Sequence, residues 1–349
     1  MDKTVTYKCP NCDAGLLFDP PKQKFVCEFC ISEFTEEELL SKEDVGAREE
    51  EEKENEEFSS RINEYNCPSC GAEIITDANT VADTCFYCHN PIVLSAKVSG
   101  NLKPSKIIPF KFDKEEAKNI FLRFAKKKKF TPKDYASVEN AEKISGVYYP
   151  FWVVDADTVA DADYKAKNIR TWRAGNYRYT EVSHYELMRG GNIHFEDITT
   201  AAISEEDKEM LEGVLPYPID SHKDFAMPYL QGFVAKKKNI EREMLTPEVR
   251  AKMDSYAAEL LRRTVRGYES VDERGLCVKV GSSHWEYTLM PIWILTYKHK
   301  DKNYTYAMNG YTGKVYGKLP LSIPKLLLLA GGVFLLSLVI CMLFGFFAL

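Results

Sequence analysis

Near the start of the sequence, the motif CPNC at residues 9–12 is followed by CEFC at residues 27–30, and this pair decides the fold of the N-terminal segment. The same spacing is repeated in CPSC at residues 67–70 and CFYC at residues 85–88. Each copy has the pattern Cys-x2-Cys-x14-Cys-x2-Cys. One Cys-x2-Cys turn presents two thiolates, and two such turns complete a tetrahedral zinc site with Zn–S distances of about 2.3 Å. The sequence therefore predicts two zinc ribbons, each with one structural Zn²⁺. The eight predicted ligands are Cys9, Cys12, Cys27, Cys30, Cys67, Cys70, Cys85 and Cys88.

The type of zinc site follows from its donors. Four cysteines fill all four positions of a tetrahedral ion, which leaves none for water or substrate, so we interpret both sites as structural. The alternative is a disulfide framework in a secreted domain. A polar beginning without a secretory signal argues against it and favours a reducing compartment. His89, next to Cys88, is interpreted as a surface histidine rather than a substitute ligand.

The last 24 residues, 326–349, contain no charged side chain. A helix of about 20 apolar residues is long enough to cross the hydrocarbon of a bilayer. We therefore expect a single C-terminal transmembrane helix that acts as a tail anchor. Because Lys314, Lys318 and Lys325 precede the segment, the positive-inside rule predicts an inner-membrane protein with its bulk in the cytoplasm.

The acidity of the chain is concentrated between the ribbons. Residues 36–57 hold 12 acidic and 3 basic residues, a net charge of −9, whereas the whole chain has −6. Such a block is typical of a solvated helix or a disordered spacer, and a docking site for a basic partner is the alternative. The predicted domains are ribbon 1 (1–35), the acidic linker (36–60), ribbon 2 (61–95), a central domain (104–320) and the transmembrane helix (326–349).

The central domain is predicted to be α+β with a mostly antiparallel sheet. Aromatic and β-branched runs at 147–154, 177–185 and 191–198 are typical of short strands. A capping box of Asp113 and Glu116 predicts a helix, and a second helix is expected at 247–263 with Thr246 as N-cap.

No catalytic motif is present: the chain lacks His-Glu-x-x-His, Gly-x-Ser-x-Gly, a Walker loop and a dinucleotide-binding glycine pattern. One group of polar residues leaves a metal or cation site open, although we interpret it as the polar face of half-exposed strands. These residues are Asp155, Asp157, Asp161, Asp163, His184 and His194. Cys277 is expected to be buried, and the four tryptophans, Trp152, Trp172, Trp285 and Trp293, are expected to pack in the core or on the sheet.

The order of several segments resembles one bacterial family. After the knuckles come IIPFKF, GVYYPFW, MPYLQGF, PIWILTY and MNGYTGKVYG. Together they resemble the membrane-anchored TFIIB-type zinc ribbon-containing proteins, over nearly the whole chain. Members are often labelled helicase or phage replication proteins, but no helicase motif is found here. The resemblance implies association with phage-shock and SPFH (flotillin-like) proteins in envelope stress.

Three functions compete on the sequence. The first is a membrane-anchored, non-enzymatic zinc-ribbon adaptor that recruits SPFH-like or phage-shock-like protein partners. The second is nucleic-acid binding, which needs clustered Lys and Arg to contact phosphates. Ribbon 2 has no basic residue between Cys67 and Cys88, which argues against it. The third is a membrane-associated enzyme with its site among the aspartates and histidines of the central domain. We expect no small-molecule substrate and no catalytic residue.

Overall fold

The structure is a computed structural model. It describes residues 9–12, 14, 16–40, 62–67, 73–77, 85, 93–94, 103–132, 134–203, 208–230, 233–300 and 302–347. Three residues of the predictions, Cys70, Cys88 and His89, lie outside these ranges, as does the acidic linker beyond residue 40.

Strands dominate the regular structure. They are β1 Leu16–Asp19, β2 Lys24–Cys27, β3 Glu33–Phe34, β4 Ile62–Asn66, β5 Glu73–Asp77, β6 Val93–Leu94, β7 Lys106–Ile107, β8 Ser145–Ala174, β9 Tyr177–Ala201, β10 Lys223–Asp224, β11 Val234–Lys236, β12 Ser270–His299, β13 Lys302–Asn309 and β14 Val315–Gly317. The α-helices are α1 Glu36–Leu40, α2 Lys114–Lys126, α3 Val138–Glu142, α4 Lys208–Val214, α5 Arg242–Thr264 and α6 Ile323–Phe347. The described chain is mostly β, so the predicted fold class is wrong: strands of up to 30 residues replace the expected balance of strands and helices.

The first ribbon forms a small antiparallel sheet of its own, β1-β2-β3. Alternation puts Phe18 and Phe25 on its inner face, where their rings lie 5.0 and 5.2 Å from the ring of Tyr229. Gln23 adds a polar contact, since its Nε2 donates to the carbonyl of Phe110 at 2.7 Å. The ribbon therefore packs directly against the central part of the chain.

Eleven of the described strands form a second sheet with the order β10-β7-β12-β8-β11-β5-β4-β6, to which β9, β13 and β14 are added. Strand β5, which belongs to the second ribbon segment, pairs antiparallel with β11, with Ile75 opposite Ala235. Strand β11 in turn pairs parallel with β8. The second ribbon segment thus extends the central sheet.

Three strands, β8, β9 and β12, run much farther than predicted. Their outer parts form what we call the β-arm: residues 155–174 of β8, 177–200 of β9 and 270–286 of β12. From Val154 to Ala166 the side chains of β8 alternate almost regularly between buried and exposed. Such alternation lets one face stay apolar while the other faces water, so the strands continue where the sequence suggested breaks.

Helix α5 covers the apolar face of the β-arm. Its residues Val249, Met253 and Ala257 pack on alanines of β8 such as Ala160. The small side chains allow the helix to lie close to the sheet. The helix begins earlier than predicted, at Arg242, and Thr246 is not its N-cap. The capping box of Asp113 and Glu116 on α2 is confirmed.

An aromatic cluster fills the core where the β-arm meets the rest of the chain. Phe110 stacks on Phe233 at 4.4 Å, and Trp293 lies 5.0 Å from Phe110. Trp152 is buried as well. Trp172 packs on the sheet and not in the core: it lies at the tip of the β-arm, is 42% exposed and stacks on Tyr179.

Helix α6 is joined to the rest of the chain at its first turn, where Lys325 Nζ donates to the carbonyl of Thr131 at 2.7 Å. Within the described residues no helix combines the length and apolarity needed to cross a membrane. The predicted transmembrane helix is therefore wrong, and with it the tail anchor and the inner-membrane localisation.

Candidate metal centre

Two turns at the end of the first ribbon position four cysteines. In the first turn, Cys9 N donates to Ala14 O at 2.7 Å and Cys12 N donates to Cys9 O at 3.3 Å. In the second, Ile31 N donates to Cys27 O at 2.8 Å. These hydrogen bonds hold each cysteine pair on the same side of its turn, so the four thiols face a common point.

The geometry of the four sulfurs fits one metal ion. Cys9 Sγ lies 3.3 Å from Cys30 Sγ, and Cys12 Sγ lies 3.4 Å from Cys27 Sγ. All four sulfurs lie within 4.8 Å of one another. Tetrahedral zinc with Zn–S bonds of about 2.3 Å requires sulfurs about 3.8 Å apart, which is inside this range. The predicted cluster of Cys9, Cys12, Cys27 and Cys30 is thus confirmed as compatible with a metal.

The surroundings favour the thiolate form of one of the four cysteines, Cys30. Cys30 Sγ lies 3.2 Å from Ser32 Oγ. Hydrogen bonding to the side chain and backbone of Ser32 lowers the pKa of Cys30 to about 6. Cys9 and Cys27 are buried, whereas Cys12 and Cys30 are exposed. One cysteine of each turn is therefore held in the ribbon core, and the other lies at the surface.

The second predicted set is only partly within the described residues. Cys67 follows β4 directly, and both Cys67 and Cys85 are buried. Cys70 and Cys88 lie outside the described residues. The second zinc site therefore stays a prediction.

Two apolar side chains are exposed at the knuckle of Cys27 and Cys30, one within it and one directly after it, and neither was predicted to have a role. Phe29 is 82% exposed and Ile31 is 80% exposed. Ile31 has φ of 58°, a left-handed conformation that is unfavourable for a β-branched residue. Because the cysteines on either side of Phe29 turn inward to one point, Phe29 must turn outward. The position of Phe29 inside a Cys-x2-Cys motif was the sequence signal that could have predicted its exposure.

The predicted aspartates and histidines come together only in part. His194 Nδ1 lies 2.7 Å from Asp157 Oδ1, and Ser282 Oγ donates to Asp157 Oδ2 at 2.8 Å. Hydrogen bonds from Ser282 and then His194 lower the pKa of Asp157, and Asp157 raises the pKa of His194. His184 precedes His194 by ten residues on β9 and lies opposite Lys167. At about 3.3 Å per residue, the two histidines are roughly 33 Å apart.

The hydrogen bonds among Ser282, Asp157 and His194 differ from those of a nucleophilic catalytic site. The Ser282 hydroxyl donates to Asp157 and not to a histidine, whereas an activated serine donates to a base. Asp161 and Asp163 lie opposite Gly190 and Met188 on β9. In the described chain, the four cysteines of the first ribbon are the group of His, Cys, Asp and Glu residues with metal-binding geometry. Cys277, expected to be buried, is exposed on the arm.

A groove of about 580 Å³ lies between β9, α5 and the segment after α4. Its lining includes Asp197, Tyr217 and Tyr256. Asp197 has φ of 61°, and burial raises its pKa. These residues are distant in sequence and share no motif, so sequence reasoning had no signal for this groove.

Comparison with known proteins finds a relative that matches nearly the whole chain. It is 34% identical over 346 residues to the uncharacterized protein YdjG of Bacillus subtilis strain 168, and the match covers 98% of both chains. The chain belongs to the family of YdjG. No protein-family model matches the sequence, and no solved structure matches it. The β-arm lies within the length shared with YdjG.

Proposed function

We propose that the chain is a non-enzymatic adaptor in which structural zinc ions, one in each ribbon, shape a docking surface for a protein partner. The observation that carries the proposal is the exposure of Phe29 and Ile31 beside the four-cysteine cluster of the first ribbon. A metal that binds all four cysteines has no position left for a substrate. Its contribution is to hold the knuckle, and the knuckle presents the two apolar side chains.

Phe29 has the properties of an interface anchor. Aromatic side chains bury a large area with few rotatable bonds, and they are enriched among residues that dominate binding energies. The backbone on either side of Phe29 is held by the bonds from Cys27 N to Ser32 O, at 2.9 Å, and from Ile31 N to Cys27 O. The side chain is thus held in place before binding, which lowers the entropic cost of complex formation.

The charges of the first ribbon argue against nucleic acid as the partner. Lys22 Nζ lies 2.6 Å from Glu33 Oε1, and Lys24 Nζ lies 3.4 Å from Glu33 Oε2. Binding to phosphates would have to break these ion pairs. An enzyme is disfavoured because the Asp157, His194 and Ser282 cluster lacks the hydrogen bond between a nucleophile and a base.

The class of partner comes from the family resemblance of the sequence motifs, which points to SPFH-like and phage-shock-like proteins. The test compares binding of purified proteins of these two classes to the zinc-loaded chain and to its Phe29→Ser variant. We expect the variant to bind at least 30-fold more weakly, as for a typical interface anchor worth about 2 kcal/mol. Its zinc content should be unchanged.

Val138→Ser is the matched control, because Val138 is 65% exposed and lies on α3, away from the metal centre. It should bind like the wild type. Equal binding by the Phe29→Ser variant would refute the docking surface. Failure of both protein classes to bind the wild type would refute the proposed partners.

A further inference from the structure

One outer edge of the β-arm is the long strand β9, whose far side is unpaired in the described chain. Among the described strands, β9 pairs with β8 alone, so its other side presents free backbone N–H and C=O groups. Such an edge is a template for another strand unless it is protected. Strand β9 carries no proline, and Tyr177, Tyr185 and Met188 on it are 72%, 40% and 79% exposed. A partner strand would cover both the backbone and these side chains.

Symmetry restricts how a second copy of β9 could pair with the first. Two copies of one strand become antiparallel neighbours only through a two-fold axis perpendicular to the sheet, an isologous arrangement. This axis keeps the face under α5 on the same side in both copies. Leu187, Ile193 and Phe195 lie on that face. Odd-numbered residues must therefore oppose odd-numbered ones, and one residue of β9 lies on the axis.

The charges of β9 select one of these registers. With Tyr185 on the axis, Glu181 of each copy lies opposite Arg189 of the other, and His184 lies opposite Glu186. Both neighbouring registers lose the Glu181–Arg189 pair, and the one centred on residue 186 also places Glu186 opposite Glu186, where like charges are destabilising. Glu186 is 86% exposed beside Lys165, so its carboxylate has room for a second partner.

The register centred on Tyr185 also covers exposed residues of α5, which supports it independently of the charges on β9. Lys252 Nζ donates to Thr199 O, and Tyr256 contacts Phe195, so this side of α5 faces the β9 edge. Tyr256 and Leu260 there are 49% and 45% exposed. With Tyr185 on the axis, Tyr177 and Tyr179 of the second copy lie opposite residues 193 and 191, next to this side of α5.

We propose that two copies of the chain associate through their β9 edges, antiparallel, with Tyr185 at the centre. The paired region runs from residue 177 to residue 193, roughly 56 Å at 3.3 Å per residue. It joins two three-stranded arms into one continuous sheet with both α5 helices on the same face. The contact lies on the β-arm, away from the first ribbon, and so is independent of the proposed docking surface.

Charge reversal tests the register. In the full zinc-loaded chain, Glu181→Arg places two arginine pairs at the interface, and Arg189→Glu places two glutamate pairs there. We expect each variant to raise the dissociation constant of the dimer about 30-fold, since two attractive pairs become repulsive. When the two variants are mixed, both pairs become complementary again. The mixture should therefore form a 1:1 heterodimer with near wild-type affinity.

Sedimentation velocity measures the association, and circular dichroism verifies that each variant is folded. Lys279→Glu on β12 is the control, because this exposed residue lies on the arm but not on the β9 edge. It should dimerise like the wild type. A wild-type chain that stays monomeric at tens of micromolar would overturn the proposal. So would a dimer that both reversals leave intact, or reversed variants that weaken the dimer but do not recover on mixing.

Discussion

Glu248 on α5 connects three elements of the central domain. Its Oε1 accepts a hydrogen bond from Thr200 Oγ1 of β9 at 2.8 Å, and its Oε2 accepts one from Lys208 Nζ of α4 at 2.8 Å. Lys252 Nζ lies 3.1 Å from Oε1. Burial by itself raises the pKa of Glu248, but the bonds from Lys208, Thr200 and Lys252 outweigh it and lower the pKa from 4.5 to about 2.

We expect Glu248→Gln to lower the free energy of unfolding by about 2 kcal/mol at pH 7. The shift of the pKa from 4.5 to about 2 corresponds to roughly 3 kcal/mol at 1.36 kcal/mol per unit. The Glu248 side chain is 24% exposed and that of Lys208 is 28% exposed, so solvent screening reduces the value. Because the folded-state pKa is lowered, this stabilisation is present above about pH 4.5 and is lost as the pH falls towards 2.

Urea denaturation of the wild type and the Glu248→Gln variant at pH 7, 5, 4 and 3 measures the effect. The difference between the two unfolding free energies should be largest at pH 7 and should shrink below pH 4.5. Glu259→Gln on the same helix is the control: its ion pair with Arg263 is exposed, so the cost should stay below about 0.5 kcal/mol. A difference that is constant with pH would refute the assignment of the stabilisation to the Glu248 charge.

Two further outcomes follow from the described contacts. Removal of zinc by a chelator should unfold the first ribbon, since structural zinc supplies about 10–16 kcal/mol to such modules; an unchanged melting temperature after complete removal would contradict this. Asn309 is fully buried; its Nδ2 donates to the carbonyls of Val214 and Pro216, and its Oδ1 accepts from two backbone N–H groups. Asn309→Asp should cost at least 3 kcal/mol in thermal or urea unfolding, and a cost below 1 kcal/mol would show that water replaces these bonds.

The metal ligands of the first ribbon could be predicted because the two cysteines of each pair are close together in the sequence. Cys9 and Cys12 are separated by two residues, as are Cys27 and Cys30, and a turn of this length can hold both sulfurs on one side. The same spacing did not draw attention to Phe29, because the exposure of a side chain inside a knuckle depends on where the cysteines turn.

The long strands were harder to predict. Breaks such as Gly190 and Gly191 indicate a turn when they are read locally, yet both lie within β9, opposite Asp161 and Ala160 of β8. An added Cβ on Gly190 would lie 2.1 Å from a carboxylate oxygen of Asp161. The glycine is there for a close approach between strands. Only the neighbouring strand reveals that role.

The sequence by itself determined the first metal cluster, the capped start of α2 and the strand character of the central domain, because each depends on residues within a few positions of one another. The tertiary structure decided the rest. It set the length of the β-arm, the face that α5 covers, the network around Glu248 and the free edge of β9. These features depend on contacts between residues tens of positions apart in the sequence. The energy of such a contact depends on how both partners are placed in space, which the local sequence around either one does not show.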